Sequence, residues 1–98
     1  MDGQFYVYIL ASRMNGTLYT GFTSDLSRRI WEHRNHVVRG FTDTHNVTRL
    51  VHFETFGDYE LAARREFLLK RWRRAWKIQL IEAGNPGWRD LYNEVAIL

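Results

Sequence analysis

Arg29 and His33 lie four residues apart in the segment SDLSRRIWEH, so a helix would place a cation and a titratable imidazole on one face. Neither group stabilises the other, whereas both can interact with a shared anion such as a phosphate. A solvent-exposed pair that arises by chance is the alternative. The pair makes this helix a candidate for anion chemistry.

Tyrosines are concentrated in the stretch YVYILASRMNGTLYTGF, residues 6–22, around an Asn15-Gly16 turn signal. A hairpin loop of even length places Tyr8 and Tyr19 on the same side of the sheet. Gly21 has no side chain, so we expect that side to be locally open to a backbone or a ligand. The alternative is structural, because tyrosine is a preferred strand residue and cross-strand aromatic pairs stabilise sheets.

Basic residues are concentrated in one segment. Arg64 to Lys77 holds seven of the fourteen Lys and Arg residues and a single acid, Glu66, while the rest of the chain carries seven basic and ten acidic residues. This distribution predicts a localised phosphate-binding face, and a solvated amphipathic helix is the alternative. Glu66 has an alternative of its own, an i,i+4 ion pair with Lys70.

The elements that must position these residues follow from periodicity and turn signals. We predict a small α+β domain in which helices flank a three-stranded antiparallel sheet, in the order β-β-α-β-α-α. The predicted elements are strands over 5–11, 17–22 and 49–56, a helix over about 25–36, a loop over 38–48, a long helix over 59–83 that bends or breaks near 73–75, and a short helix or tail over 88–98. The long helix should bury a face that comprises Leu61, Ala62, Leu68, Leu69, Trp72, Ala75 and Trp76.

Composition narrows the class of protein. The 98 residues suit a single domain over 1–98, and 45% hydrophobic and 15% aromatic residues predict a folded globule. The chain has no cysteine, which excludes disulfides and thiolate zinc sites, and no apolar run is long enough for a membrane helix. We therefore expect a cytoplasmic protein that does not associate with membranes.

The ordered motifs resemble the GIY-YIG nuclease superfamily, in particular its small stand-alone bacterial members. Tyr6-Val7-Tyr8 stands where that family has GIY, and Tyr19-Thr20-Gly21 where it has YIG. Arg29, His33 and Glu66 follow in the family's order, and the segments RRAWK and NPGWRDLY extend the resemblance over nearly the whole chain. Two departures are Tyr6 in place of the first glycine and Thr20 in place of isoleucine.

The resemblance implies hydrolysis of a phosphodiester in nucleic acid, DNA being the expected substrate, with one Mg²⁺ or Mn²⁺ ion. Tyr19 would activate the water and Tyr8 would help to position or deprotonate it; Gly21 completes the motif. Arg29 would neutralise the phosphate, His33 would assist proton transfer, and Glu66 would hold the metal ion. The implied nucleic-acid-binding residues are Lys70, Arg71, Arg73, Arg74, Lys77 and, by a looser match, Asn85.

Three functions remain open at this stage. The first is an endonuclease, with DNA repair or recombination as the expected context. The second is a non-catalytic nucleic-acid-binding module with the same fold, and the third is a protein-interaction domain that uses exposed tryptophans. Because so short a chain leaves no accessory domain, we expect activity to be weak alone or to depend on a protein partner that supplies specificity. A tyrosine base would need a lowered pKa or a proton relay to His33.

Overall fold

The computed structural model describes residues 3–37 and 39–96, in which a three-stranded antiparallel sheet has helices on both faces. Val38, Ile97 and Leu98, which belong to the predicted loop and C-terminal segment, lie outside the described residues. The elements are β1 (Phe5–Ala11), β2 (Leu18–Thr23), α1 (Leu26–Arg34), α2 (Phe41–Thr44), β3 (Arg49–Phe56), α3 (Tyr59–Arg71), α4 (Arg74–Gly84) and α5 (Tyr92–Val95). The predicted fold class is confirmed.

The strand order is β2-β1-β3, so β1 is central and β2 forms one edge of the sheet. Residues 7–11 of β1 are all buried, because helices cover both faces of this strand. The hairpin pairs Ala11 with Leu18 across a six-residue loop in which Asn15 adopts a φ of 56°. The loop length is even, and the register pairs Tyr8 with Gly21 and Leu10 with Tyr19.

The alternation of β1 divides the core into two halves. Tyr8 and Leu10 pack against α1 and α5 on one face, in a cluster with Leu26, Ile30 and Val95. On the other face, the odd-numbered residues of β1 pack against α3 and α4. The principal partners there are Ala62, Leu69, Ile81 and Trp88.

The predicted long helix is two helices, since Trp72 and Arg73 adopt extended backbone between α3 and α4. The break begins one residue before the predicted position. Arg74 Nη2 donates to the carbonyls of Asn15 (2.8 Å) and Gly16 (2.7 Å), which ties the start of α4 to the hairpin turn. The junction between the two helices is therefore anchored to the hairpin by a tertiary contact.

The predicted buried face of the long helix was only partly right. Ala62 and Leu69 are buried, whereas Leu61, Leu68 and Trp76 are exposed. Leu61 and Leu68 lie on α3 about a quarter-turn from Ala62 and Leu69, so the predicted apolar stripe is wider than the face that α3 buries. Trp76 lies on α4, beyond the break. Within the predicted loop, four residues form α2, which brings Thr42 into the interior. Among the described residues, no helix has the length and apolar character needed to cross a membrane.

Candidate active site

The ring of Tyr8 lies across Gly21, its neighbour on the edge strand β2. A Cβ atom at position 21 would overlap the Cζ and hydroxyl oxygen of Tyr8. The expectation that Gly21 leaves an open space for a ligand is therefore corrected, because the space is filled by the phenol. Gly21 allows the Tyr8 hydroxyl to reach over β2 towards the edge of the sheet.

His33 is buried and joins this phenol to α2. Its Nε2 lies 3.2 Å from the Tyr8 hydroxyl, and its Nδ1 lies 3.0 Å from Thr42 Oγ1. Tyr19 packs beside both rings, 6.4 Å from Tyr8 and 5.7 Å from His33 between ring centroids. Strand parity and the helical spacing thus place two tyrosines and one histidine together.

The electrostatics of this group follow from its burial. Burial raises the pKa of Tyr8 well above its ordinary value; Tyr19 and Glu66 also raise it, and Arg29 lowers it. Burial, and then the charge of Arg29, lowers the pKa of His33 to about 4. Both rings are therefore neutral near pH 7. A neutral imidazole has one N–H and one acceptor nitrogen, which suits a hydrogen bond on each side.

Arg29 belongs to the same group, and its Nε forms an ion pair with Glu32 Oε1 at 3.2 Å. Glu32 also pairs with Arg28 at 3.4 Å, and these three side chains line a polar cavity of about 300 Å³ with residues 23–25. His33 is uncharged near pH 7, so Arg29 and His33 can lie together without a shared anion between them. Glu32 is shared by Arg28 and Arg29, so these three side chains keep a net positive charge.

Glu66 lies on α3, which packs mainly on the face of the sheet opposite α1. Its half-buried carboxylate pairs with Lys70 at 3.1 Å, as the sequence alternative predicted. The same carboxylate contributes to raising the pKa of Tyr8, so its charge acts on the catalytic candidates. Glu66 therefore lies on a helix that packs mainly on the other face of the sheet, yet near enough for its charge to act on the phenol.

The basic segment is divided between two surfaces. Lys70 and Lys77 line a cavity of about 340 Å³ together with Leu18, Tyr19, Thr20 and Phe41. The guanidinium of Arg71 lies over Phe67 and that of Arg73 over Trp76, both exposed rings. Arg74 is committed to the hairpin turn, which makes its role structural and not primarily phosphate binding.

Asn85 does not face a ligand, so its prediction as a nucleic-acid-binding residue is corrected. The side chain is 5% exposed. Its Nδ2 donates to the carbonyls of Val51 and Arg89, and its Oδ1 accepts from the Arg89 backbone N–H. All of these bonds are internal, so Asn85 fastens the C-terminal segment to β3.

A larger groove of about 500 Å³ lies elsewhere, lined by Trp72, Trp76, Gln79 and Leu80. None of the catalytic candidates lines this groove, and its walls are mostly apolar. The volume of a groove does not by itself identify an active site, since catalysis requires convergent polar groups.

Sequence reasoning missed three residues of the site. Thr42 and Phe41 fell in the predicted loop, because a four-residue helix has no readable period. Glu32 lies in the quoted segment SDLSRRIWEH, at i+3 from Arg29 and i+4 from Arg28. That spacing was the available signal for its ion pairs.

The donor set limits which metal the site can hold. Across residues 3–37 and 39–96, no three His, Cys, Asp or Glu side chains form a metal-binding group. A dedicated protein cage is thus absent from this part of the chain. One partly exposed carboxylate, Glu66, fits a hydrated Mg²⁺ or Mn²⁺ ion, which keeps several waters and takes other ligands from phosphate.

Comparison with known proteins tests the family resemblance. The family model described as the GIY-YIG catalytic domain matches residues 4–79, which confirms the resemblance found in the motifs. A UPF0213 protein of Haloquadratum walsbyi is 38% identical over 84 residues, 86% of this chain and 93% of the relative. A UPF0213 protein of Clostridium perfringens is 38% identical over 78 residues, 80% of this chain and 83% of the relative.

A solved structure shares the fold. The solution NMR structure of a UPF0213 protein from Bacillus halodurans is 33% identical and superimposes with a TM-score of 0.56, covering 89% of this chain and 92% of that chain. The solved structure therefore resembles this chain in fold and over most of the length of both chains.

Proposed function

This chain belongs to the GIY-YIG catalytic-domain family, and on that premise we propose that it is a divalent-metal-dependent endonuclease that hydrolyses phosphodiester bonds in DNA. DNA repair or recombination is the proposed context. A protein partner is proposed to supply specificity.

One observation carries this proposal. The Tyr8 phenol, the His33 imidazole and Thr42 form a hydrogen-bonded chain, and the charges of Arg29 and Glu66 both act on Tyr8. Both pKa shifts follow first from burial, which keeps the phenol and the imidazole neutral. Buried, hydrogen-bonded titratable groups on which nearby charges act are typical of functional sites.

The residues have distinct roles in the proposed reaction. Tyr19 is half-buried and more accessible than Tyr8, so we assign it the orientation of the attacking water. We assign to the Tyr8 hydroxyl and His33 Nε2 a proton relay, in which the phenolic oxygen would take the proton of that water as the phenol passes its own proton to Nε2. Thr42 holds the imidazole through Nδ1, and Arg29 presents donors to the phosphate.

Glu66 would hold the metal ion, which when bound supplies positive charge to the phosphate and to the leaving oxygen. Lys70 Nζ lies 3.1 Å from Glu66 Oε2, so the ion pair uses one oxygen of the carboxylate. The other oxygen, Oε1, would be the one to hold a metal ion.

A second function is favoured by the Glu66–Lys70 pair itself, because a paired carboxylate needs no metal. In that case the domain binds nucleic acid without cleaving it, and Glu66 is a structural partner on α3.

Replacement of Glu66 by Gln separates the two functions. The amide preserves shape but removes the charge that a hard divalent cation requires, so cleavage in Mg²⁺ or Mn²⁺ should be abolished. Binding without metal should persist or tighten, since a carboxylate that repels phosphate is gone. The assay uses linear, nicked, branched and single-stranded substrates, both DNA and RNA.

Glu60→Gln is the matched control, an exposed glutamate on the same helix. Its cleavage rate should equal that of the wild type. Unfolding in urea should show that Glu66→Gln costs only a few tenths of a kcal/mol through the lost Lys70 pair. A Glu66→Gln protein that cleaves at the wild-type rate would establish the binding module instead.

A further inference from the structure

Beside Tyr19, three aromatic rings follow one another in near-parallel orientation. Tyr19 and Phe41 lie 6.4 Å apart between centroids at an interplanar angle of 25°, and Phe41 and His45 lie 4.4 Å apart at 23°. Phe41 is 47% exposed although it is large and apolar. This row of rings begins at a catalytic candidate and ends in solvent.

Two lysines face the same space from α3 and α4. Lys70 and Lys77 line the 340 Å³ cavity with Tyr19 and Phe41, and burial, then the charge of Lys70, lowers the pKa of Lys77. Two cations that share a cavity repel each other unless an anion lies between them. Glu66 is the acid beside them, and it pairs with Lys70 alone at 3.1 Å.

The cavity continues along the edge strand. Leu18 and Lys77 also line a neighbouring cavity of about 320 Å³, whose other walls are Thr17 and Arg74. Because the two cavities share Leu18 and Lys77, they adjoin along β2, and we refer to them together as one groove. Its lining combines two aromatic rings, Tyr19 and Phe41, with cationic side chains.

We propose that this groove is a nucleotide subsite in which the base of an unpaired nucleotide stacks on Phe41, on the side of the ring that His45 does not cover, while Lys70 and Lys77 bind the adjacent phosphates. Aromatic rings bind bases by stacking without sequence preference, and this requires a base that is free of its complementary strand. Because Tyr19 belongs to the wall, the nucleotide flanks the scissile phosphate. The substrate class is thus nucleic acid with an unpaired segment. This inference rests on the proposed function for the position of cleavage, but not for binding.

Metal-free binding tests the subsite independently of cleavage. Fluorescence anisotropy compares a 12-nucleotide thymidine oligomer, an oligomer of equal length made only of abasic deoxyribose phosphate, and a blunt 12-base-pair duplex. We expect the wild type to bind the thymidine oligomer about tenfold more tightly than the abasic one. Phe41→Ala should remove that preference and leave duplex binding within twofold.

Two further variants distinguish the parts of the subsite. Phe41→Tyr should retain the preference for bases, since the ring is preserved, and it guards against loss of folding as the cause. Lys77→Gln should weaken the binding of both single-stranded oligomers, thymidine and abasic, by a similar factor. An equal effect of Phe41→Ala on the thymidine and abasic oligomers, or no effect on either, would overturn the proposal. Failure of the nuclease proposal would appear separately, as absent cleavage by a protein that still distinguishes bases.

Discussion

His33 is the residue on which the candidate site depends most. It is 2% exposed and has a polar partner on each ring nitrogen, the Tyr8 hydroxyl and Thr42 Oγ1. A protonated ring would have to donate to both partners while facing Arg29, and burial adds to that cost. The fold therefore selects the neutral imidazole, whose N–H and acceptor nitrogen suit one hydrogen bond on each side.

This selection predicts a pH dependence of stability. The pKa of His33 falls from 6.5 to about 4, so the unfolded chain binds more protons between these values. The contribution is fully present above pH 6.5 and is lost as the pH falls towards 4, by about 2 kcal/mol between pH 7 and pH 5. Urea unfolding at both pH values measures it.

His33→Gln is the reference protein for this measurement, since it cannot titrate at this position. As the pH is lowered from 7 to 5, the free energy of unfolding should fall more steeply in the wild type than in His33→Gln. Parallel pH profiles would show that His33 is not held neutral by the fold.

At the scale of elements, the junction of α3 and α4 is held by Arg74, whose guanidinium bonds two hairpin carbonyls. Arg74→Met keeps the aliphatic length of the side chain and removes both hydrogen bonds. Allowing for partial exposure, we expect a loss of about 1–2 kcal/mol in the free energy of unfolding. Urea titration at neutral pH provides the measurement.

Arg73→Met is the matched control, because Arg73 is adjacent in sequence and lies over the exposed ring of Trp76. Removal of the Arg73 guanidinium should lower the free energy of unfolding by less than about 1 kcal/mol. Equal losses in the two variants would mean that the hairpin contact does not stabilise the junction.

The elements also show how far sequence reasoning extends. The sheet, the side shared by Tyr8 and Tyr19, and α1 followed from turn signals and periodicity, which are local properties. The position of Phe41 and Thr42 depended on a four-residue helix in a polar segment, and the internal role of Arg74 depended on a contact 58 residues away. Such features arise from tertiary packing, which neither motif nor periodicity contains.

For the whole molecule, helices cover both faces of the sheet, so the edge strand β2 is where the sheet meets the groove. A net charge of only +3 means that the attraction of nucleic acid depends on where cations lie. Lys70 and Lys77 line the groove, whereas Arg71 and Arg73 lie over exposed rings. The phosphate footprint is therefore concentrated along one edge.

The clustering of lysines along one edge of the sheet predicts how nucleic-acid binding depends on salt. Lys77→Gln should lower the slope of log K against log salt by about 0.7 for a single strand or 0.9 for duplex DNA, as each lost phosphate contact does. Titrations of metal-free binding between low and physiological salt measure the slope. Arg89→Gln, an exposed arginine that is paired with Glu94, should leave it unchanged. An equal change in both variants would mean that the charge acts diffusely.

The contact between Tyr8 and Gly21 also links two positions that are 13 residues apart. The phenol occupies the volume that any side chain at 21 would need, so one position cannot change while the other keeps its place. A chain of this fold with a larger residue at the second position must have displaced the phenol from its histidine. The combination of a tyrosine at position 8 and a glycine at position 21 therefore distinguishes chains that can assemble this centre from chains that keep only the fold.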